Sequence, residues 1–410
     1  MKRRTLLAII VGTSTATVFG QTSGSDWPQW RGPSRDGTLL NYTEPKALPE
    51  TLTQRWKVEV GTGYATPLIV GSRVFTFSRQ QENEVMRALD AGTGKVLWET
   101  SYPAPFTMNP ATGRHGPGPK ATPTYANGRL FTFGISGIVT AFDAATGKIL
   151  WQKPKGSTEP LYHTSQSPLV DRDAVILHVG GDKEGALTAW DAATGAVKWS
   201  WTGDAPAYAS PILAEIGGTR QVITFSRDNL VGVDASNGQL LWKTPFQARS
   251  ITNAITPLVY AGDTVIVSGQ GKPLTAYAVS KQGDQWSVDV AWENPQLSLS
   301  FSNPVLVGDA VFSLAATNSG QFFWADAKTG KTLWTSSPRQ GGNAAIVRAG
   351  TLLFVLKDDG QLMVARSSPG AFEPLRTYTV ADSPTRTAPA LSGNRIVVKD
   401  VSTVALYTFD

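Results

Sequence analysis

The chain has 410 residues, 41% hydrophobic and 17% charged, with 40 Gly, 26 Pro and 13 Trp but no Cys. Without Cys there can be no disulfide, thiolate nucleophile, zinc–thiolate site, C-x-x-C-H haem attachment or acylated lipoprotein Cys. The net charge is +5, and Lys2, Arg3 and Arg4 supply three of those charges; the remaining +2 is too weak a basic footprint for general nucleic-acid binding.

From the N-terminus, Lys2-Arg3-Arg4 is followed by the short apolar run Leu6 to Val11 and the weaker Gly12 to Gly20. That pattern predicts a cleaved leader over 1–20, with Val18 and Gly20 as small residues before a cut near Gln21. Arg3-Arg4 also allows twin-arginine export. The expected location is the periplasm or the exterior, with no transmembrane segment in the mature chain. Residues 21–55 form an N-terminal segment carrying Asp26-Trp27-Pro28-Gln29-Trp30-Arg31-Gly32-Pro33, whose Trp27 and Trp30 are expected to pack against the main body. Trp56-Lys57-Val58-Glu59-Val60 then reads as an isolated strand.

The rest is repetitive. Asp, three residues, Gly, three residues, Trp recurs as Asp90–Gly94–Trp98, Asp143–Gly147–Trp151, Asp191–Gly195–Trp199, Asp234–Gly238–Trp242 and Asp326–Gly330–Trp334. Asp accepts a backbone hydrogen bond and Gly takes φ > 0, so each phrase predicts a hairpin turn leading to a strand that bears the Trp. A second phrase, a small polar residue then Pro, opens each unit: Thr66-Pro67, Thr122-Pro123, Ser167-Pro168, Ser210-Pro211, Thr256-Pro257 and Asn303-Pro304. Asn343-Ala344-Ala345 and Ala388-Pro389 are looser copies. Units start about 41 to 56 residues apart, the range of propeller blades.

Eight units result, so the expected fold is all-β: one eight-bladed β-propeller over 56–410, with four-stranded antiparallel blades. The fifth unit has a degenerate turn but keeps Trp292. The seventh replaces the phrase with Ser367-Ser368-Pro369-Gly370 and Leu375. The eighth ends one strand short, and Trp56–Val60 is expected to supply that strand and close the ring.

The phrase Ala-x-Asp-x-x-Thr-Gly-x-x-x-Trp resembles the repeat of the pyrroloquinoline-quinone (PQQ) type propellers, and the resemblance runs from Trp56 to Phe409. It implies one of two branches: quinoprotein alcohol dehydrogenases, or non-enzymatic BamB-like propellers. The first branch uses PQQ on the ring axis with Ca²⁺, a carboxylate base and often a vicinal Cys pair. The missing Cys and the short chain favour the second, an exported scaffold or ligand-binding module without a cofactor. A PQQ-dependent dehydrogenase is the alternative.

Only His115, His163 and His178 are present, without close metal-ligand spacing. No sequence context singles out a nucleophilic Ser. The long proline-rich connection over 101–120 stands out, because such loops in compact domains usually carry function. Together with the other blade-to-blade loops it offers Tyr64, Arg114, His115, Lys120, His163, Tyr208, Arg249, Asn253, Arg339, Asn343 and Arg386. These are the candidate ligand-binding residues, a cationic funnel on one face for a small anionic ligand or an envelope protein partner. The mature chain is expected to be monomeric.

Overall fold

The computed structural model describes residues 26–410 of the chain, so the expected leader over 1–20 lies outside the described residues. The strands form eight sheets, each with four antiparallel strands; seven follow chain order, one of these gaining Thr38–Leu39 as a parallel fifth strand, and the eighth takes its outer strand from the N-terminal part of the chain. Blade 1 comprises Leu68–Val70, Arg73–Gln80, Asn83–Asp90 and Val96–Pro103, from the axis outward. Blades 2 to 7 follow over 124–153, 169–201, 212–245, 258–294, 305–335 and 344–379. In blade 8, Ala390–Ser392, Arg395–Lys399 and Thr403–Thr408 are completed by Thr53–Glu59, with Trp56 opposite Leu406. The ring therefore closes through the strand expected at Trp56–Val60, shifted three residues toward the N-terminus at its start. No α-helix occurs among the described residues.

The middle strands are buried on both faces because each blade is sandwiched between two others. Leu130 to Phe133 are all buried, for example. The core is accordingly divided among the blade interfaces. Phe75, Phe77 and Met86 of blade 1 share a cluster with Leu130 and Phe142 of blade 2.

The Asp phrase forms the expected turn. Asp90 Oδ1 accepts both Thr93 N–H and Thr93 Oγ1–H at 2.8 Å, and Gly94 has φ +72°. The Gly and Trp of one phrase serve different interfaces. Each such Gly receives the ring of the preceding blade: Trp56 on Gly94, Trp98 on Gly147, Trp151 on Gly195, Trp199 on Gly238 and Trp292 on Gly330. The same rings donate Nε1–H across the interface to Ala91, Ala144, Ala192, Ala235 and Ala327 carbonyls at 2.9–3.2 Å.

The second phrase also has a structural role. Thr66 N–H donates to Thr122 Oγ1, Thr122 N–H to Ser167 Oγ and Ser167 N–H to Ser210 Oγ. Farther round, Thr256 N–H donates to Asn303 Oδ1, and Ala388 N–H to Thr66 Oγ1. The small polar side chains thus form an inter-blade hoop near the axis.

One sequence expectation needs correcting. In blade 7 the register places Arg376 opposite Val364 next to the bulge, where other blades have Trp, and Leu375 lies exposed beside it. The physical reason is the neighbour. The outer strand of blade 8 comes from the N-terminus, so no Asp–Gly turn joins its third and fourth strands and there is no glycine for a ring to cover.

Antiparallel order fixes two unlike faces. Turns between first and second and between third and fourth strands lie on one face, here the turn face. Blade-to-blade connections and the middle hairpins lie on the other, the loop face.

Candidate functional site

The long connection out of blade 1 crosses the loop face. It carries a 3₁₀ turn, Pro110–His115, whose first residues are capped by Asn109, with the side chain accepting from Ala111 N–H at 2.9 Å. Asn109 also anchors the loop to the blade 2–3 connection, donating N–H to His163 Nε2 at 3.1 Å and Nδ2–H to Leu161 O at 2.9 Å. At its far end Tyr64 N–H donates to Pro119 O at 2.8 Å. The loop is thus fastened to two other connections, the one between blades 2 and 3 and the one leading into blade 1.

Two groups of the sequence candidates come together around it. His115 meets Tyr64 edge-on at 6.4 Å, the Arg386 guanidinium lies 5.4 Å from the Tyr64 ring centre, and Arg386 is hydrogen-bonded to His115 Nδ1. In the second group Lys120 Nζ donates to Tyr162 O at 2.8 Å, and Tyr208 Oη accepts from Tyr162 N–H at 3.2 Å. Lys120 has no carboxylate within ion-pair reach among the described residues, and burial pushes its pKa down to about 8.

His163 is buried, with φ +62°. Its Nε2 accepts from Asn109, so the neutral ring carries its proton on Nδ1, which faces Glu159 Oε2 at 3.5 Å. Burial holds its pKa below the ordinary histidine value, and Glu159 opposes that shift.

The other candidates lie apart from these groups. Asn253 is wholly buried and committed to the chain itself. Its Nδ2 donates to Ser226, Arg227 and Phe246 carbonyls, and its Oδ1 accepts from Ala248 N–H. Arg249 and Arg339 are exposed on their own connections, and Asn343 accepts Asp358 N–H with its carbonyl. Arg114 sits in the 3₁₀ turn, and its side chain lies outside the described residues.

The same face also opens into a cleft of about 730 Å³ between blades 2 and 3, within the size range of ligand pockets. Ser136, Lys153, Glu159, Lys183 and Glu184 line it. None of the eleven sequence candidates does, although Glu159 joins it to His163. The middle hairpins of blades 2 and 3 build this cleft together with Gly156 to Pro160 and Thr202 to Ala205 of the blade-to-blade connections, and sequence reasoning missed it because it weighed only the residues just before each inner strand, here His163 and Tyr208.

Arg31 and Arg35 were also not anticipated. Both are buried against the inner strands of several blades. Two arginines in a tryptophan-rich segment ahead of the repeats were the available signal.

The stretch that carries these repeats, residues 81–336, matches the sequence profile of one family. The chain belongs to the family described as outer membrane protein assembly factor BamB. It is 24% identical over 317 residues to BamB of Shewanella oneidensis, covering 73% of each chain. The structure of BamB from Moraxella catarrhalis superposes with a TM-score of 0.63 at 17% identity, covering 88% of this chain and 98% of that one. A quinohemoprotein alcohol dehydrogenase from Pseudomonas putida HK5 gives 0.66 at 14% identity over 94% of this chain and 80% of that one. At these identities the likeness shows the fold. The dehydrogenase subunit of the quinone alcohol dehydrogenase of Gluconobacter oxydans is 32% identical over 127 residues, only 16% of its length.

Among the described residues no helix is long and apolar enough to cross a membrane, and no three His, Cys, Asp or Glu side chains gather as metal ligands.

Proposed function

We propose that the chain is an exported binding module of the cell envelope whose loop face captures a carboxylate-bearing ligand, an acidic segment of a protein partner foremost. The observation that carries this is the ordered long loop, which brings Tyr64, His115 and Arg386 together and leaves Lys120 half-buried with no carboxylate in ion-pair reach among the described residues. Arginine and lysine beside aromatic rings suit carboxylates, and rigidly held loops are where binding residues usually sit. The relationship to BamB, an envelope assembly factor by name, supports a protein partner.

A quinone–calcium centre on the axis is supported less well. The axis beside the inner strands holds the guanidinium groups of Arg31 and Arg35, and no set of three acidic or imidazole ligands lies there or elsewhere among the described residues. These residues do not fit such a centre.

Titrating a hexaglutamate peptide and its hexaglutamine counterpart tests the proposal. Preference for the acidic peptide should fall about tenfold in Lys120→Met with Arg386→Ala, equivalent to about 1.4 kcal/mol, at unchanged melting temperature. Equal binding of the two peptides sinks the proposal. So does dye-linked alcohol oxidation after addition of PQQ and Ca²⁺.

A further inference from the structure

Residues 26–39 enter the ring at the turn face, fold back on themselves and leave on the same side. Asp26 accepts Gly71 N–H at 3.0 Å, and Trp27 exchanges backbone hydrogen bonds with Ile69 of blade 1. Pro28 O accepts from Tyr125 of blade 2. Trp30 Nε1–H reaches Thr256 Oγ1 ahead of blade 5 at 3.0 Å. Thr38–Leu39 adds a parallel fifth strand to blade 7. Between these anchors two guanidinium groups turn inward. Arg35 donates to Pro211 O at 2.8 Å, Pro168 O at 2.8 Å, Ser167 O at 2.9 Å and Gln29 Oε1 at 3.1 Å. Arg31 donates to Pro304 O and to Asp36 O. The segment thereby hydrogen-bonds to seven of the eight blades or the residues opening them.

The acceptors follow from the small-polar–Pro phrase. Ladder pairing starts one residue after each proline, at Leu169, Ile212 and Val305, so the proline carbonyls are left outside the sheets. Buried carbonyls need donors. Several blades present them at similar height, which makes a ring of acceptors around the axis. A guanidinium, with five N–H groups in a rigid fork, can serve several at once, whereas a lysine amine cannot reach the same set. Neither arginine forms an ion pair among the described residues, and burial lowers the pKa values to about 10 for Arg31 and about 9 for Arg35. Both values leave the charge in place at neutral pH.

We propose that the axial ring of proline carbonyls is a binding site for an arginine-bearing peptide, and that residues 26–39 are its resident ligand, separable from the propeller and closing its axis from the turn face. The phrase that opens the blades and the Trp-Arg-Gly-Pro segment then form one complementary pair. The proposal concerns the face opposite the candidate site and stands independently of the function proposed for that site.

The test uses the full chain with a protease site inserted between the exposed Lys46 and Ala47. After cleavage the N-terminal fragment should remain with the propeller through gel filtration. A synthetic peptide of residues 26–46 should exchange with it. Arg35→Gln in the peptide should weaken rebinding at least tenfold, Arg35→Lys should do so nearly as strongly, and Arg31→Gln should add to the loss. If the cut fragment leaves at once, or the Arg35 peptides bind as tightly as the parent, the carbonyl ring is not the receptor. Because the variants sit in the added peptide, misfolding of the propeller does not confuse the result.

Discussion

Glu84 shows what a single buried group does at a blade interface. It lies fully buried in Asn83–Asp90, where its Oε1 accepts Ile135 N–H of blade 2 at 2.6 Å and its Oε2 accepts Tyr102 Oη–H at 3.0 Å. A Cβ on Gly134 would stand 2.1 Å from Oε2, so glycine is needed there. Burial raises the Glu84 pKa to about 7, against the opposing pull of its hydrogen bonds and of Arg79. An acid with a raised folded-state pKa makes the native state hold the extra proton between about 4.5 and 7. Its effect on stability is therefore a loss as pH rises through that window, of about 3 kcal/mol when complete. Glu84→Gln, which keeps an acceptor for Ile135, should remove this loss. Denaturant unfolding at pH 5 and pH 8 checks it, and equal pH dependence in the wild type and the variant sinks the assignment. Nothing in the repeat phrase points to Glu84. A carboxylate directly before the apolar pair Val85-Met86 was the sole hint.

At the scale of the element, most of the blade was legible, because turn chemistry and alternation are local properties. The interface partner was not. A phrase shows Gly and Trp four positions apart, yet each Gly meets the Trp of the blade before it. Where the following blade has no such Gly, the ring goes elsewhere. Trp242, facing a blade 5 without the phrase, turns its Nε1–H to Gln221 Oε1 within its own blade at 2.6 Å. The same rule explains Arg376 in blade 7, a residue that sequence spacing could not place without knowing the neighbour. Trp98 and Gly147 give the rule its measurement. Trp98→Ala removes a half-buried ring and its bond to Ala144 O, and should cost about 3 kcal/mol. Gly147→Ala would set a Cβ 2.4 Å from the Trp98 ring at φ +76°, so it should cost a comparable amount. Because both changes strike one contact, the double variant should cost clearly less than the sum of the two. Additive costs in denaturant melts would mean that ring and glycine act separately. The loop-face candidates were legible only as loop positions, because convergence depends on which connections the long loop bridges. Asn253 shows the limit: a polar loop residue that reads as a binding group is consumed by four bonds to backbone groups of Ser226, Arg227, Phe246 and Ala248.

At the scale of the whole molecule, three devices hold the ring: tryptophans between outer strands, hydroxyls between inner ones, and the N-terminal strand that completes blade 8. The last joins the two ends of the chain within one sheet, so the outer edge of blade 8, and the ring that blade 8 docks onto blade 1, depend on it. Trp56 concentrates this junction. It pairs with Leu406 in blade 8, its ring covers Gly94 of blade 1, and its Nε1–H reaches Ala91 O at 2.9 Å. Trp56→Ala should therefore cost about 3–5 kcal/mol, as for other buried aromatic truncations, and the damage should be localised. An arc opened between blades 8 and 1 exposes the edge of Thr403–Thr408, while blade 4, on the far side of the ring, keeps both neighbours. Hydrogen exchange should then show Thr403–Thr408 losing protection well before Asn229–Asp234. In the wild type these two strands should exchange at similar rates, since closure gives each blade the same number of neighbours. If protection in Trp56→Ala falls equally around the ring, unfolding is global and the N-terminal strand is not a separate latch. If it falls nowhere, the contacts of Trp56 do not hold the ring closed.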